Sequence, residues 1–168
     1  EESMLAKISD GSLGRAIEMW ESNFLAKRHE SLVALTKSLR LSPEEVFEMV
    51  LEYTGKDRRR EVEPRERGGS AVSDLLGIWK TWYRDLLVIK TTGLDNLLIN
   101  SDFSAELKNN SKDFTINSLI DSFLLIDQAE RDYMRTRNVD LMMENMVLKL
   151  RRYKSHRKTF NEEVFSNQ

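Results

Sequence analysis

The pattern of apolar and polar positions is helical along most of the chain. It is clearest over 70–90, where apolar residues recur every three or four positions. The recurring residues are Val72, Leu75, Trp79, Trp82, Leu86 and Ile89, with Leu76, Tyr83 and Leu87 beside them. An apolar face this wide has to be covered by other helices. The sequence therefore predicts a central helix at 70–90 inside a helical bundle.

Two helical segments and a short N-terminal helix are predicted before the central helix. The short helix, at 2–9, is expected to end at Gly11, because glycine readily takes the left-handed conformation that follows a helix. Ser12 then has the chemistry of an N-cap for the next helix. That helix is predicted over 13–28, and its apolar stripe continues over 29–40 as the same helix or a separate one.

A helix start is also encoded at Ser42-Pro43-Glu44-Glu45, which has the order of a capping box with proline at the first helical position. Gly55 is expected to end this helix. The next stretch, 56–69, is almost entirely charged and contains a glycine pair. Because it cannot bury an apolar face, we expect it to be an exposed loop or a disordered segment.

Two long helices are predicted after the central helix. The first spans 115–136, with one line of apolar residues at Leu119, Phe123, Ile126 and Tyr133 and a second line at Ile116, Ile120 and Leu124. The last begins at Asn138 or Asp140 and is expected to fray into a polar tail at 154–168. No alternating run is long enough for a strand. The predicted fold class is therefore an all-α helical bundle in which these two helices cover the central one.

Composition excludes several classes of function. The chain has 168 residues, a net charge of −2, no cysteine and two histidines. Without cysteine it forms no disulfide, thiolate metal site or cysteine nucleophile, and we expect a cytoplasmic location. No apolar run approaches the roughly 18–20 residues of a membrane span. Neither His29 nor His156 has a second ligand at helical spacing, so we expect no metal and no catalytic residue.

The motifs of the chain bear on nucleotide and nucleic-acid binding. No complete phosphate-binding loop is present, so no nucleotide cofactor is expected in this chain. The basic residues in the 56–69 segment alternate with acids, which favours a solvated loop. A second basic run contains Lys149, Arg151, Arg152 and Lys154, which could contact a DNA backbone. A basic last helical turn is also an ordinary complement to the helix dipole.

Several stretches resemble segments of the bacterial AAA+ clamp-loader subunits. The lid segment G-S-x-G-R-A of that family is similar to Gly11-Ser12-Leu13-Gly14-Arg15-Ala16. Its helix W-x-R-D-L-L-x-x-K resembles Trp82-Tyr83-Arg84-Asp85-Leu86-Leu87-Val88-Ile89-Lys90, and its connection L-I-N-P-D resembles Leu98-Ile99-Asn100-Ser101-Asp102. Its closing helices are similar to 129–150. Over about residues 5 to 150, the order and spacing are closest to the delta-prime subunits of DNA polymerase III.

The resemblance implies a division into parts. Residues 1–28 would be the end of the AAA+ lid, and 29–153 would be a C-terminal helical collar that holds a pentameric loader together. Arg15 matches the sensor 2 arginine, which reaches nucleotide phosphates in this family or can be purely structural. Subunit-interface candidates are Trp79, Trp82, Tyr83 and Arg84, with the three aromatic residues divided between the core and the interface.

The resemblance also implies partners. These are the gamma/tau and delta subunits directly, and the sliding clamp and primed DNA indirectly, with no membrane. ATP would bind only in a nucleotide-binding domain outside this chain. The chain itself is not expected to hydrolyse ATP or polymerise DNA, although its parent would belong to the DNA polymerase III holoenzyme, a nucleotidyltransferase. The alternatives are the collar of the related gamma/tau ATPase, a separate helical nucleic-acid-binding module and, less well supported, an isolated enzyme.

Overall fold

A computed structural model of the chain describes residues 5, 8–9, 11–21, 23–62, 71–133 and 135–165, with backbone alone at 15, 18, 56–62 and 155–165. Seven α-helices occur in these ranges: α1 (Leu13–Glu21), α2 (Phe24–Ser38), α3 (Pro43–Val62), α4 (Ala71–Thr92), α5 (Ser104–Asn110), α6 (Ile116–Tyr133) and α7 (Val139–Phe165). Short 3₁₀ turns lie at Asp95–Leu97, Ser101–Phe103 and Ser111–Asp113. These ranges contain no strand, which confirms the all-α class.

The central helix is α4, close to its predicted bounds. All six residues of the predicted stripe are buried, as are Leu76 and Tyr83 beside them. The helix that packs most extensively along α4 is α6, while α2, α3 and α5 cover other parts of it. The prediction that the last helix also covers α4 is wrong, since α7 packs chiefly on α6 and α3.

The predicted start signals are confirmed where they are described. Gly11 has a φ of 78°, and α1 begins directly after Ser12. At the start of α3, the backbone N–H of Ser42 donates to Glu45 Oε2 at 2.6 Å, and the N–H of Glu45 donates to Ser42 Oγ at 3.3 Å. This reciprocal pair is a capping box. The cap of α7 is Asn138, whose Oδ1 accepts from the N–H of Leu141 at 3.0 Å.

Two helices were predicted to end where the sequence becomes charged or polar, and both predictions are wrong. The helix α3 continues through Gly55 to Val62, so 56–62 is not a loop; the rest of that prediction, 63–69, lies outside the described residues. Likewise, α7 continues beyond 154 to Phe165. Both stretches are rich in lysine, arginine and glutamate, which favour helix without any burial. A polar composition therefore did not mean a loss of regular structure.

The break between the first helices also differs from the prediction. The stripe at 29–40, which was expected to continue the helix at 13–28 or to form a separate one, lies as far as Ser38 together with 24–28 in the continuous helix α2. The chain turns earlier, at Asn23, which has a φ of 52°. Asparagine is one of the few residues besides glycine that tolerate this left-handed conformation. Within the described part of the chain, no helix combines the length and apolar character needed to cross a bilayer.

Candidate functional site

An irregular connection of ten residues, 94–103, joins α4 to α5, and we call it the strap. Its two 3₁₀ turns satisfy few of its own backbone groups: the N–H of Leu98 donates to the carbonyl of Asp95, and that of Phe103 to the carbonyl of Asn100. Irregular backbone packed against a helix bundle needs partners for its remaining polar groups. Side chains from α4 supply several of them, and a side chain from α2 binds polar side chains of the strap.

The partner on α4 is Asp85, which is fully buried. Its carboxylate accepts hydrogen bonds from the backbone N–H groups of Ile99 at 3.2 Å and Asn100 at 2.6 Å, and from Asn100 Nδ2 at 2.8 Å. Arg84 Nη1 donates a fourth, at 2.7 Å. A carboxylate without water is stable in a protein interior only when donors surround it, as here.

The partner on α2 is Arg28, which is also buried. It donates from Nε and Nη2 to Asn100 Oδ1, at 3.0 and 2.6 Å, and from Nη1 and Nη2 to the two carboxylate oxygens of Asp102, both at 2.8 Å. Two parallel bonds to one carboxylate give the arginine a fixed orientation. Its guanidinium also lies over the ring of Phe103, 5.2 Å from the ring centre.

Together these groups form a polar network of Arg28, Arg84, Asp85, Asn100 and Asp102, in which Arg28, Asp85 and Asn100 are buried. Its two arginines balance its two aspartates. The network ties the strap to two helices and saturates the groups it buries. Its chemistry therefore suits holding a shape rather than transferring a proton.

Arg84 is the partly exposed cation of the network, since 40% of its side chain is exposed. Its Nη1 donates to Asp85 and to the carbonyl of Leu97, the latter at 2.8 Å. No residue in the described ranges accepts a hydrogen bond from its Nε or Nη2. A guanidinium has five N–H donors, so three remain available at the surface.

The three aromatic residues predicted to divide between core and interface do not divide. Trp79, Trp82 and Tyr83 are all buried within this chain, so that prediction is corrected. Trp79 Nε1 donates to the carbonyl of Ser31 on α2 at 3.0 Å. The ring of Tyr83 meets Phe114 edge-on at 5.9 Å, and its hydroxyl has no hydrogen-bond partner among the described residues. Burial raises the pKa of Tyr83.

The exposed large apolar side chains lie elsewhere. Phe47 and Leu51 form a pair on α3, Leu141 is exposed singly on α7, and the others lie in three groups. The first is on α1, where Leu13 and Trp20 are 76% and 60% exposed and Ile17 lies between them. The others are a stripe on α6 and a pair on the strap, namely Ile116, Ile120 and Leu124, and Leu94 and Leu97. The apolar pattern of α1 and α6 was assigned to buried faces. The width of this apolar pattern was the signal in the sequence that part of it stays exposed, because one neighbouring helix cannot cover so broad a face.

The four basic residues of α7 do not form one free surface. Lys154 pairs with Asp113 at 3.3 Å. Arg151 lies near Glu44, whose pKa is lowered mainly by hydrogen bonds from its own backbone and from Ser42, and further by this arginine. Lys149 and Arg152 are exposed. Only part of the predicted basic run is therefore arranged to follow a phosphate backbone.

The other candidate residues do not gather into a site. Arg15 lies in the first turn of α1, and its side chain is outside the described residues. His29 is exposed and packs against Phe103, with ring centres 5.6 Å apart. His156 also falls among the side chains that are not described. Among those that are, no three histidine, aspartate or glutamate residues form a group that could hold a metal ion.

One charged cluster joins α4 to α6. Lys80 Nζ lies 2.6 Å from Asp127 and 2.9 Å from Glu130, and Asp127 also pairs with Arg131. Burial alone would lower the pKa of Lys80, but the hydrogen bonds to both carboxylates raise it. The hydrogen bond from Lys80 in turn lowers the pKa of Asp127. This cluster fixes the edge of α6 against α4.

Comparison with known proteins adds no relative: no protein-family model, curated protein or solved structure matches the chain.

Proposed function

We propose that this chain is a protein-assembly module, the C-terminal collar of a bacterial clamp-loader subunit of the delta-prime kind. Its task is to hold the pentameric loader that places the sliding clamp on primed DNA. Its direct partners are the gamma/tau and delta subunits. ATP binds elsewhere in the loader, and the chain catalyses no reaction itself.

One observation carries the assembly role: among the described residues, most of the large exposed apolar side chains occur in groups rather than singly. On α1 and α6 these form stripes of three at helical spacing. Large apolar residues that cluster on a surface mark contact sites for other proteins. Arg84, of the four proposed interface residues, is the one that the fold leaves accessible.

The relation between two motif segments supports the delta-prime assignment in particular. The stretch containing Arg84 and Asp85 and the stretch containing Asn100 and Asp102 were matched to the family separately. In the fold they meet, because Asp85 accepts hydrogen bonds from the backbone and side chain of Asn100. Residues of the two motifs therefore form one structural unit, which gives a physical reason for their occurring together.

The test is co-purification of the 168-residue chain with the gamma/tau and delta subunits of the same organism, followed by sedimentation to count the subunits. We expect a complex that contains one copy of the chain. Absence of any complex with these subunits would contradict the proposal. Salt-dependent DNA binding that is lost on neutralising Lys149 and Arg152 would instead favour a nucleic-acid-binding module.

A further inference from the structure

The outer face of α4 that carries Lys80 and Arg84 is bounded on both sides. These residues are one helical turn apart and therefore share a face. On one side, Arg84 Nη1 donates to the carbonyl of Leu97 in the strap. On the other, Lys80 contacts Asp127 and lies 5.9 Å from the ring centre of Phe123 on α6. The face therefore runs between the strap and one edge of α6.

That edge of α6 continues as an apolar wall. Ile116 and Ile120 precede Phe123 and Asp127 at spacings of three and four residues, which places all four on one side of the helix. Lys90, near the end of α4, donates to the carbonyl of Ser111, just before α6. The helices are thus antiparallel, and the two isoleucines flank the same length of α4 that follows Arg84.

The opposite wall is formed by the strap. Leu94 and Leu97 are three residues apart across a 3₁₀ turn, where such residues lie on the same side. Both are exposed. The hydrogen bonds to Asp85 and Arg84 hold the strap from beneath, so this wall is fixed before any partner arrives. Such preorganisation removes part of the entropic cost of binding.

We propose that this surface, the outer groove, binds an amphipathic helix of another protein that presents a carboxylate to Arg84. The groove comprises Arg84, Leu87, Leu94, Leu97, Ile116 and Ile120. The charge of Arg84 identifies the kind of partner. Arg84 lies between the two apolar walls and keeps three unused N–H donors, and a carboxylate is the group that matches a guanidinium. The partner helix therefore carries apolar residues at i and i+4 with an acid beside them.

This inference rests on the proposed function only for the identity of the partner as a loader subunit. The groove itself is tested with a displayed library of helices of about 15 residues, the length at which isolated helices become marginally stable. The library fixes leucine at i and i+4 and randomises the flanking positions. We expect selection of an acid at one flanking position, and about fivefold weaker binding of the selected helix to Arg84→Gln.

The contribution of apolar contact is tested with Leu97→Asp and Ile120→Asp. These variants alter opposite walls of the groove, and both substituted residues are exposed. The matched control is Leu141→Asp on α7, where the leucine is 60% exposed and outside the groove. We expect each groove variant to weaken the selected helix at least tenfold and the control to leave it unchanged, with thermal unfolding alike in all three. A library that yields no binder, or binders indifferent to both groove variants, overturns the proposal.

The same variants separate the groove from the proposed function. If gamma/tau and delta fail to assemble with the wild-type chain while the groove captures acidic helices, the groove stands and the clamp-loader role fails. If they assemble equally well with both groove variants, the role stands and the groove is not the loader interface. Self-association of the wild-type chain that Leu97→Asp abolishes would overturn the proposal in favour of a second copy as the occupant.

Discussion

Arg84 and Asp85 are neighbours in sequence, yet the fold gives them different surroundings. Asp85 is fully buried and accepts four hydrogen bonds, so its contribution is complete within the chain. Arg84 stays 40% exposed and retains unused donors. The comparison separates two uses of charge on one helix: the buried charge fixes the backbone, and the half-exposed charge is available to another molecule.

The two positions are also linked through the strap, which both side chains contact. The strap has an irregular backbone, and without Asp85 its N–H groups at Ile99 and Asn100 would lack this acceptor. Because the strap is held there, Leu97 lies beside Arg84 and not in solvent away from it. The buried Asp85 therefore positions the strap beside the half-exposed Arg84. Substituting Asp85 should affect stability, whereas substituting Arg84 should affect binding.

The largest expected effect is from Asp85→Ala. Removing the carboxylate leaves the N–H groups of Ile99 and Asn100 in the strap without this acceptor, and breaking such a network costs about 3–5 kcal/mol. Urea unfolding should show this loss in the free energy of unfolding. Asp121→Ala, at an exposed position of α6, is the control and should stay within about 0.5 kcal/mol of wild type. Equal effects from the two variants would show that the network is not what holds the strap.

A smaller effect, of opposite sign, is expected from Tyr83→Phe. The Tyr83 hydroxyl is buried with no hydrogen-bond partner in the described part of the chain, so removing it should leave stability unchanged or raise it by up to about 1 kcal/mol. Trp79→Phe is the contrasting variant, because the Trp79 N–H does have an acceptor, the Ser31 carbonyl, and its loss should destabilise. Thermal unfolding compares the two. A clear loss from Tyr83→Phe would mean that the hydroxyl has a hydrogen-bond partner in solution.

The smallest effect is expected in the pH dependence of stability, where Asp127→Asn is compared with wild type. The pKa of Asp127 is lowered by its hydrogen bond from Lys80, so its contribution is complete above the unfolded pKa of about 3.9 and is lost as pH falls through the lowered value. Wild type should therefore lose more stability between pH 6 and pH 3 than Asp127→Asn does. The difference should be less than about 1 kcal/mol, since solvent screens the pair. If Asp127→Asn loses as much stability between pH 6 and pH 3 as wild type does, the pair of Lys80 and Asp127 does not contribute to the loss of stability in acid.

How much of this could be foreseen differs between core and surface. The central helix, its buried stripe and the capping box at Ser42 were predictable because helical periodicity and capping are local properties. The extension of α3 into charged sequence was missed, because high polarity was equated with loss of helix. The expectation that Trp79, Trp82 and Tyr83 divide between the core and an interface failed for another reason: an apolar pattern says that a residue is covered, not by which partner.

The contact between Asp85 and the strap could not be predicted from periodicity at all. It joins residues 14 and 15 positions apart through an irregular segment, and no local rule fixes that pairing. The apolar groups on α1, α6 and the strap were missed for a related reason. Ile116, Ile120 and Leu124 continue the apolar pattern of α6, and only the packing of α6 on α4 decides which line faces inward.

The central claim, that the outer groove is the assembly surface, is tested most directly by amide hydrogen exchange of the chain alone and in complex with gamma/tau and delta. Residues 84–99 and 116–124 should exchange more slowly in the complex, with no change at the exposed face of α7 around Leu141. Protection confined to α1 or α7, with these two segments unchanged, would contradict it.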